Sequence, residues 1–271
     1  MRRDRPGNLD AMRVYAEVAR RSFLRHSTYR GATVAGAFAN TVFGFIKAYI
    51  VLAVIAQTGA INGLDRTKAV TFIFVAQGML MLISAFGSTE VGDRVKDGSI
   101  ATDLYRPVDF SGYWLAADIG RAGFLAIFRG LPPLLAGALV FPIGLPTATV
   151  RWLEFVVCVT MSVALASRWW LIVNLVAFWT VEVRGIRSLG IIVLNFAAGI
   201  LLPLQFLPKG LRAAAMVTPF AAMLQRPVDL LLGLTSFPVV IAWQVAWLVV
   251  MESAVRFELG AAVRKVVIQG G

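Results

Sequence analysis

Four aspartates, Asp93, Asp97, Asp103 and Asp109, lie close together in a polar stretch of the chain. Asp93 and Asp97 are four residues apart and share one helix face, a spacing that suits magnesium held against a diphosphate. Arg94 and Lys96 intersperse the acids, and no second acidic loop completes a metal cluster, so a solvated helix of mixed charge fits these residues better. Other chemistry lacks its parts. His26 is the only histidine and Cys158 the only cysteine, which leaves no histidine cluster, no multi-cysteine metal site and no disulfide within one chain. A phosphate-cradling P-loop needs Gly-Lys followed by Ser or Thr, and the sequence contains no Gly-Lys pair. A second set of chemically capable residues sits in apolar surroundings: Lys47, Glu154, Arg168 and Glu252. A charge at mid-membrane costs a few kcal/mol, so Lys47 and Arg168 must find a partner, snorkel, or line a substrate path. Glu154 and Glu252 lie nearer the ends of their apolar blocks.

These residues are carried by a chain of 271 residues that is 58% hydrophobic and 15% charged, with mean hydropathy +0.75. The apolar residues are grouped in blocks about as long as a bilayer is thick, which predicts one all-α integral membrane domain over 1–271. Residues 1–31 contain no cleavable signal. They predict an amphipathic helix along the inner leaflet, with Leu9, Met12, Tyr15, Ala16, Ala19 and Phe23 on a stripe among Arg13, Arg20, Arg21 and Arg25. Val14, Val18 and Leu24 fall off that stripe. Six spans follow, at 33–56, 69–86, 124–141, 152–180, 189–206 and 237–257. The Pro132-Pro133 pair predicts a bend in the third. A short charged loop occupies 181–188. Residues 207–236, with Pro208, Pro219 and Pro227, predict one or two short, partly re-entrant helices. Trp114, Trp152, Trp179 and Trp243 fall near span ends, as an aromatic belt would. Eighteen of the 26 lysines and arginines lie on the side of the amino terminus and six on the other, which predicts cytoplasmic termini. The net charge of +11 is then explained by orientation and anionic lipid, without nucleic acid as a partner.

The polar island at 87–121 has the logic of a docking element. Ser88 or Thr89 caps a first helix with Glu90 in its first turn, Val91 and Val95 share a face, and Gly98 ends it in the left-handed region. Ser99 caps a second helix with Ile100 and Leu104 on one face, and Tyr105-Arg106-Pro107 stops it. The same pattern also suits an ordinary surface loop.

The chain resembles the permease subunits of bacterial type-2 ABC transporters, in the six-span group related to daunorubicin- and viologen-type exporters. The resemblance rests on Tyr29-Arg30 before the first span and on the island's VKDGSIATDLYRPVDFSGYWLAADIGR. It extends through AFWTVEVRGIRSLG, the stretch from GILLPLQFLPKGLR to LQRP, and the terminal IQGG. It implies a complex in the bacterial inner membrane of two permeases and two cytoplasmic ATP-binding cassette subunits. ATP and magnesium would be bound by the ATPase pair, and no cofactor by this chain. The second permease is expected to be a related, distinct chain, with an identical one as the alternative. The segment between spans two and three would be the coupling helix, presenting Glu90, Val91, Arg94, Val95, Asp97, Ile100, Asp103 and Arg106 to the ATPase. The amphipathic start would be an interfacial connecting helix. The segment with Pro208, Pro219 and Pro227 would close the outer gate. Lys47, Arg168 and Glu252 are candidates for the substrate path or for intramembrane pairing. The expected cargo is a drug-like, lipid-like or other amphiphilic molecule moved outward. The alternative is an ion-gradient-driven carrier, and a weaker one a membrane prenyltransferase, to which Asp93 and Asp97 give a partial likeness.

Overall fold

The computed structural model describes residues 8–84, 86–180 and 183–269. The amino-terminal 1–7, the Val181-Glu182 part of the charged loop and the last two glycines of the terminal IQGG lie outside them. The described chain is all helical. Four helices are long and apolar enough to cross a bilayer. They are α2 (Arg30–Thr58), the pair α6 (Phe110–Leu125) and α7 (Leu131–Val140), α8 (Thr149–Leu175) and α13 (Phe237–Gln269). The other two expected spans contain shorter helices, α3 (Arg66–Leu80) and α9 (Arg184–Ala197), of 15 and 14 residues.

The early end of α3 has a physical cause. Helix α3 is closely enclosed: Ala69 to Ala76 are all buried, with Phe72 and Phe74 at its centre. Beyond Leu80 the backbone turns, with Ser84 at φ 53°. The carbonyls freed there are taken up by side chains. Arg121 donates from Nη1 to the Met81 carbonyl at 2.8 Å and from Nη2 to the Leu82 carbonyl at 3.1 Å. A cation at a helix carboxyl end also complements the dipole.

The helix that carries the third expected span starts well before that span, because Asp109 caps α6 by accepting from the Gly112 amide at 2.8 Å. Helices α6 and α7 are joined by a π-helical turn, Ala126–Gly130, just before Pro132-Pro133. The Leu131 amide donates five residues back, to Ala126, and the looser turn makes room for the proline rings within one continuous rod. Backbones approach closely there: a Cβ at Gly78 or Gly130 would meet the other's carbonyl oxygen at 3.0 or 2.9 Å.

Helix α1 (Asn8–Ser27) runs parallel to α6 and packs along it. The stripe read for the inner leaflet meets α6: Tyr15 covers Gly112, and Phe23 sits edge-on to Phe124 at 5.4 Å. Ser22 Oγ donates to the Ala117 carbonyl at 2.7 Å. Leu24 and Met12 stay exposed. Two short helices, α4 (Glu90–Lys96) and α5 (Ile100–Tyr105), precede α6. After α9 come α10 (Lys209–Met216), α11 (Pro219–Met223) and α12 (Gln225–Leu231). Helix α10 is exposed, whereas every residue from Phe220 to Leu232 is buried. Broken helix is tolerated at membrane depth only under such cover.

Substitution at Gly120 checks the α1–α6 contact. Its Cβ would fall on the Ala19 carbonyl, whereas nothing lies within 4 Å of a Cβ at Gly31. Gly120→Ala is expected to lower stability by about 1–3 kcal/mol and expose α1 to protease. Gly31→Ala is expected to be neutral or slightly stabilising, both read by thermal melts and limited proteolysis of the purified chain.

Candidate functional site

Helices α4 and α5 form a bent hairpin hinged at Gly98, whose φ is 78°. The expected caps at Thr89 and Ser99 make no side-chain cap bond, and Asp97 supplies the turn by accepting from the Ser99 amide at 2.8 Å. That bond and the Ser99 hydroxyl hold the Asp97 carboxyl below the usual aspartate range.

The apolar face of the hairpin points into the protein. Val91 and Ile100 are buried with Phe110, Trp114, Leu171, Leu175 and Val255, and Val95 and Leu104 pack around them. The hairpin is therefore seated on the ends of α6, α8 and α13, and Trp114 lies in this core instead of in an interfacial belt. Asp103 is buried too. It is held by a forked pair from Arg94, through Nε and Nη2, and by Arg106 at 3.0 Å, while Arg106 also lies 4.2 Å over the Tyr113 ring. Of the eight residues named for docking, Val91, Ile100 and Asp103 thus serve as anchors, because their own protein covers them. Asp93, Asp97, Thr102 and Tyr105 are exposed on its outer edge, the last by 74%.

Two further contacts tie the hairpin to neighbouring helices. Asn174 on α8 accepts from the Gly92 amide at 3.0 Å and donates to the Ser88 carbonyl at 2.9 Å. A Cβ at Gly92 would sit 2.7 Å from Asn174 Oδ1, so this position requires glycine. Glu90 receives a bidentate pair from Arg25 of α1, at 2.8 and 2.9 Å. The Arg25 guanidinium holds the Glu90 carboxyl below the usual glutamate range, against the opposing effect of burial.

Of the charges singled out in apolar surroundings, Lys47, Arg168 and Glu252 have partners. Arg168 Nε pairs with Glu252 across α8 and α13, and Ser111 Oγ donates to the same carboxylate at 3.0 Å. Arg256 pairs with Glu252 at 2.7 Å and reaches Asp109 at 3.7 Å. Lys47 donates to the Ile200 carbonyl at 2.9 Å, just past the end of α9. The three residues named for the substrate path or for pairing are therefore paired in this structure.

On the opposite end, Pro219 opens α11, Pro227 is buried in α12, and Pro208 is exposed ahead of α10. A buried amide network joins these pieces. Gln225 accepts from the Leu204 amide at 2.9 Å, and Gln205 and Gln225 both donate to Asp229 Oδ1, at 2.7 and 2.9 Å. Gln244 Nε2 on α13 lies within 3.0 Å of the Ala222 and Cys158 carbonyls. None of Asn174, Gly92, Gln225 or Gln244 was singled out from sequence, since a lone amide among apolar residues, or one glycine in a helix of mixed charge, carries no periodic signal.

Compared with known proteins, residues 40–270 match the description of the ABC-2 family transporter proteins. No curated protein matches, and no solved structure matches.

Asn174→Leu leaves the Gly92 amide and the Ser88 carbonyl without their partner. Hydrogen exchange at 88–96 should quicken by the equivalent of about 1–3 kcal/mol while the middle of α8 stays protected. The Arg25–Glu90 link has a pH signature. A depressed folded-state pKa adds stability above the ordinary glutamate value, and that stability is lost as pH falls through the lowered one. Melting curves over roughly pH 3 to 6 should show this acid-side loss in the wild type. The loss should be reduced in Glu90→Gln.

Proposed function

Because the chain belongs to the ABC-2 family transporter proteins, and is a multi-pass permease subunit that works with an ATPase partner, we propose that the α4–α5 hairpin is where that partner grips it. The observation that carries this reading is the seating of the hairpin. Its inner face and its ion pairs are bound to α1, α6, α8 and α13, and its outer edge is open. A push on Asp93, Asp97, Thr102 or Tyr105 reaches α1 through Arg25–Glu90 and α8 through Asn174. The subunit itself is a transport component and not a catalyst; ATP and magnesium belong to the ATPase pair.

In this reading α3 and α9 are the second and fifth crossings, completed by the irregular stretches at 81–84 and 198–206. Both termini and the hairpin lie in the cytoplasm of a bacterial inner membrane, as the excess of lysine and arginine on that side supports. Helix α1 is the connecting helix, with α6 as its partner and its exposed side toward lipid or solvent. Helices α10 to α12 close the outer end, and their buried amide network supports a rigid plug over a gate. A second permease, related but distinct, completes the complex. ATP binding favours the closed ATPase pair, which shifts the permeases from inward- to outward-facing access and releases an amphiphilic cargo. The ion-gradient alternative needs a membrane acid free to take up protons. Glu252 is engaged by Arg168 and Arg256, which argues against it.

The test uses the assembled transporter. Tyr105→Ala with Asp93→Ala removes exposed side chains and leaves the hairpin's anchors untouched. The expected outcome is normal insertion and melting temperature, with co-purification of the ATPase and transport-coupled ATP hydrolysis reduced about tenfold, the effect of roughly 1.4 kcal/mol of lost contact. Unchanged transport by the correctly inserted double variant refutes the docking assignment. Val95→Asp is a poorer test, since Val95 packs against the chain's own core and its loss unseats the hairpin.

A further inference from the structure

Arg129 stands apart from Arg121 and Arg168, two other arginines well inside the long helices. Arg121 and Arg168 have carbonyl or carboxylate partners, but no described residue accepts a hydrogen bond from Arg129, and its Nε is buried without one. It lies on the π-helical turn between α6 and α7, more than halfway along an apolar rod. Its guanidinium is laid flat against α2 at Gly36, where even a Cβ would overlap it. The side chain as a whole is only partly buried, so the group is held in place yet remains accessible. Ile127 and Phe128 beside it are exposed.

Depth identifies what can complete this site. Gly36 is six residues beyond Arg30 at the start of α2, and at 1.5 Å per residue the guanidinium sits about 9 Å along that helix. That is within reach of the headgroup boundary of the leaflet on the α1 side, for a hydrocarbon core about 30 Å thick. A permanent cation at this depth needs an anion, and the membrane supplies one there in quantity. We infer that Arg129 and the α2 groove at Gly36 form a binding site for the phosphodiester of a phospholipid in the leaflet on the α1 side, with its acyl chains along Ile127 and Phe128. The planar guanidinium suits two phosphate oxygens at once. The π-helical turn and the missing side chain at Gly36 together aim and seat the cation. This site does not depend on where the ATPase docks.

The experiment uses the full chain, delipidated in detergent and titrated separately with phosphatidylglycerol, with diacylglycerol of the same chains, and with inorganic phosphate. Melting temperature and native mass spectra report binding. In the wild type, phosphatidylglycerol should raise the melting temperature and remain bound at one per chain, while diacylglycerol and inorganic phosphate should do neither. Arg129→Gln should weaken phosphatidylglycerol about tenfold, the size of a lost charge-assisted hydrogen bond. Arg129→Lys should fall between the two. Gly36→Ala, which keeps the cation but displaces it from its slot, should show a similar loss and answers the question if Arg129→Gln does not fold. Equal phosphatidylglycerol binding by wild type and both the Arg129→Gln and Gly36→Ala variants overturns the inference. So does stabilisation by inorganic phosphate alone, which would make the site one for free phosphate.

Discussion

The bilayer offers no water to a broken helix, and that constraint organises this protein. Each place where a helix stops inside the apolar body exposes carbonyls or amides that must be met from within. The end of α3 is met by Arg121, the end of α9 by Lys47, and the start of α4 by Asn174. The pieces around Leu204 are met by Gln225. In this view, the polar residues scattered through apolar blocks are partners of interrupted backbone. They let the described residues, with four helices long and apolar enough to cross, hold shorter ones among them.

Polar contacts also fix how the hairpin sits. An apolar face alone would let α4 and α5 slide over the helix ends beneath them. The Asn174 bonds, the Arg94–Asp103–Arg106 cluster and the Arg25–Glu90 pair add direction. The exposed Arg25–Glu90 pair is worth little as stability, of order 0.2–1 kcal/mol. Its importance lies in joining two elements far apart in sequence. The Arg168–Glu252–Arg256 cluster does the same for α6, α8 and α13 directly above, so the helices under the hairpin are fastened to one another as well as to it.

Much of the architecture was legible in the sequence because apolar block length and proline or glycine punctuation are local signals. The hairpin's hinge at Gly98 and its stop before Pro107 could be read from single residues; the stretch 207–236 was read as one or two short helices and holds three, of which α10 is exposed. What could not be read were the long-range partners. Val91 and Ile100 look the same whether they face another protein or their own, and only the position of α8 and α13 decides between these. Arg168 and Glu252 were recognisable as charges in need of a partner, but 84 residues separate them. The bend expected at Pro132-Pro133 became a π-helical turn because periodicity does not distinguish a break from a one-residue insertion. Gly120 was not singled out from sequence, and its use, close contact with α1, needs the fold.

The placement of Gln244 has a consequence for how distant segments hold together. It lies on α13, yet its amide reaches carbonyls on α8 and α11, elements far from it in sequence. The Cys158 carbonyl also takes the Ser162 hydroxyl, so on that side the amide acts as a tie between helices. Three separate stretches of the chain are thereby fastened at one side chain, and the α11–α12 region moves with α8 and α13 as one block.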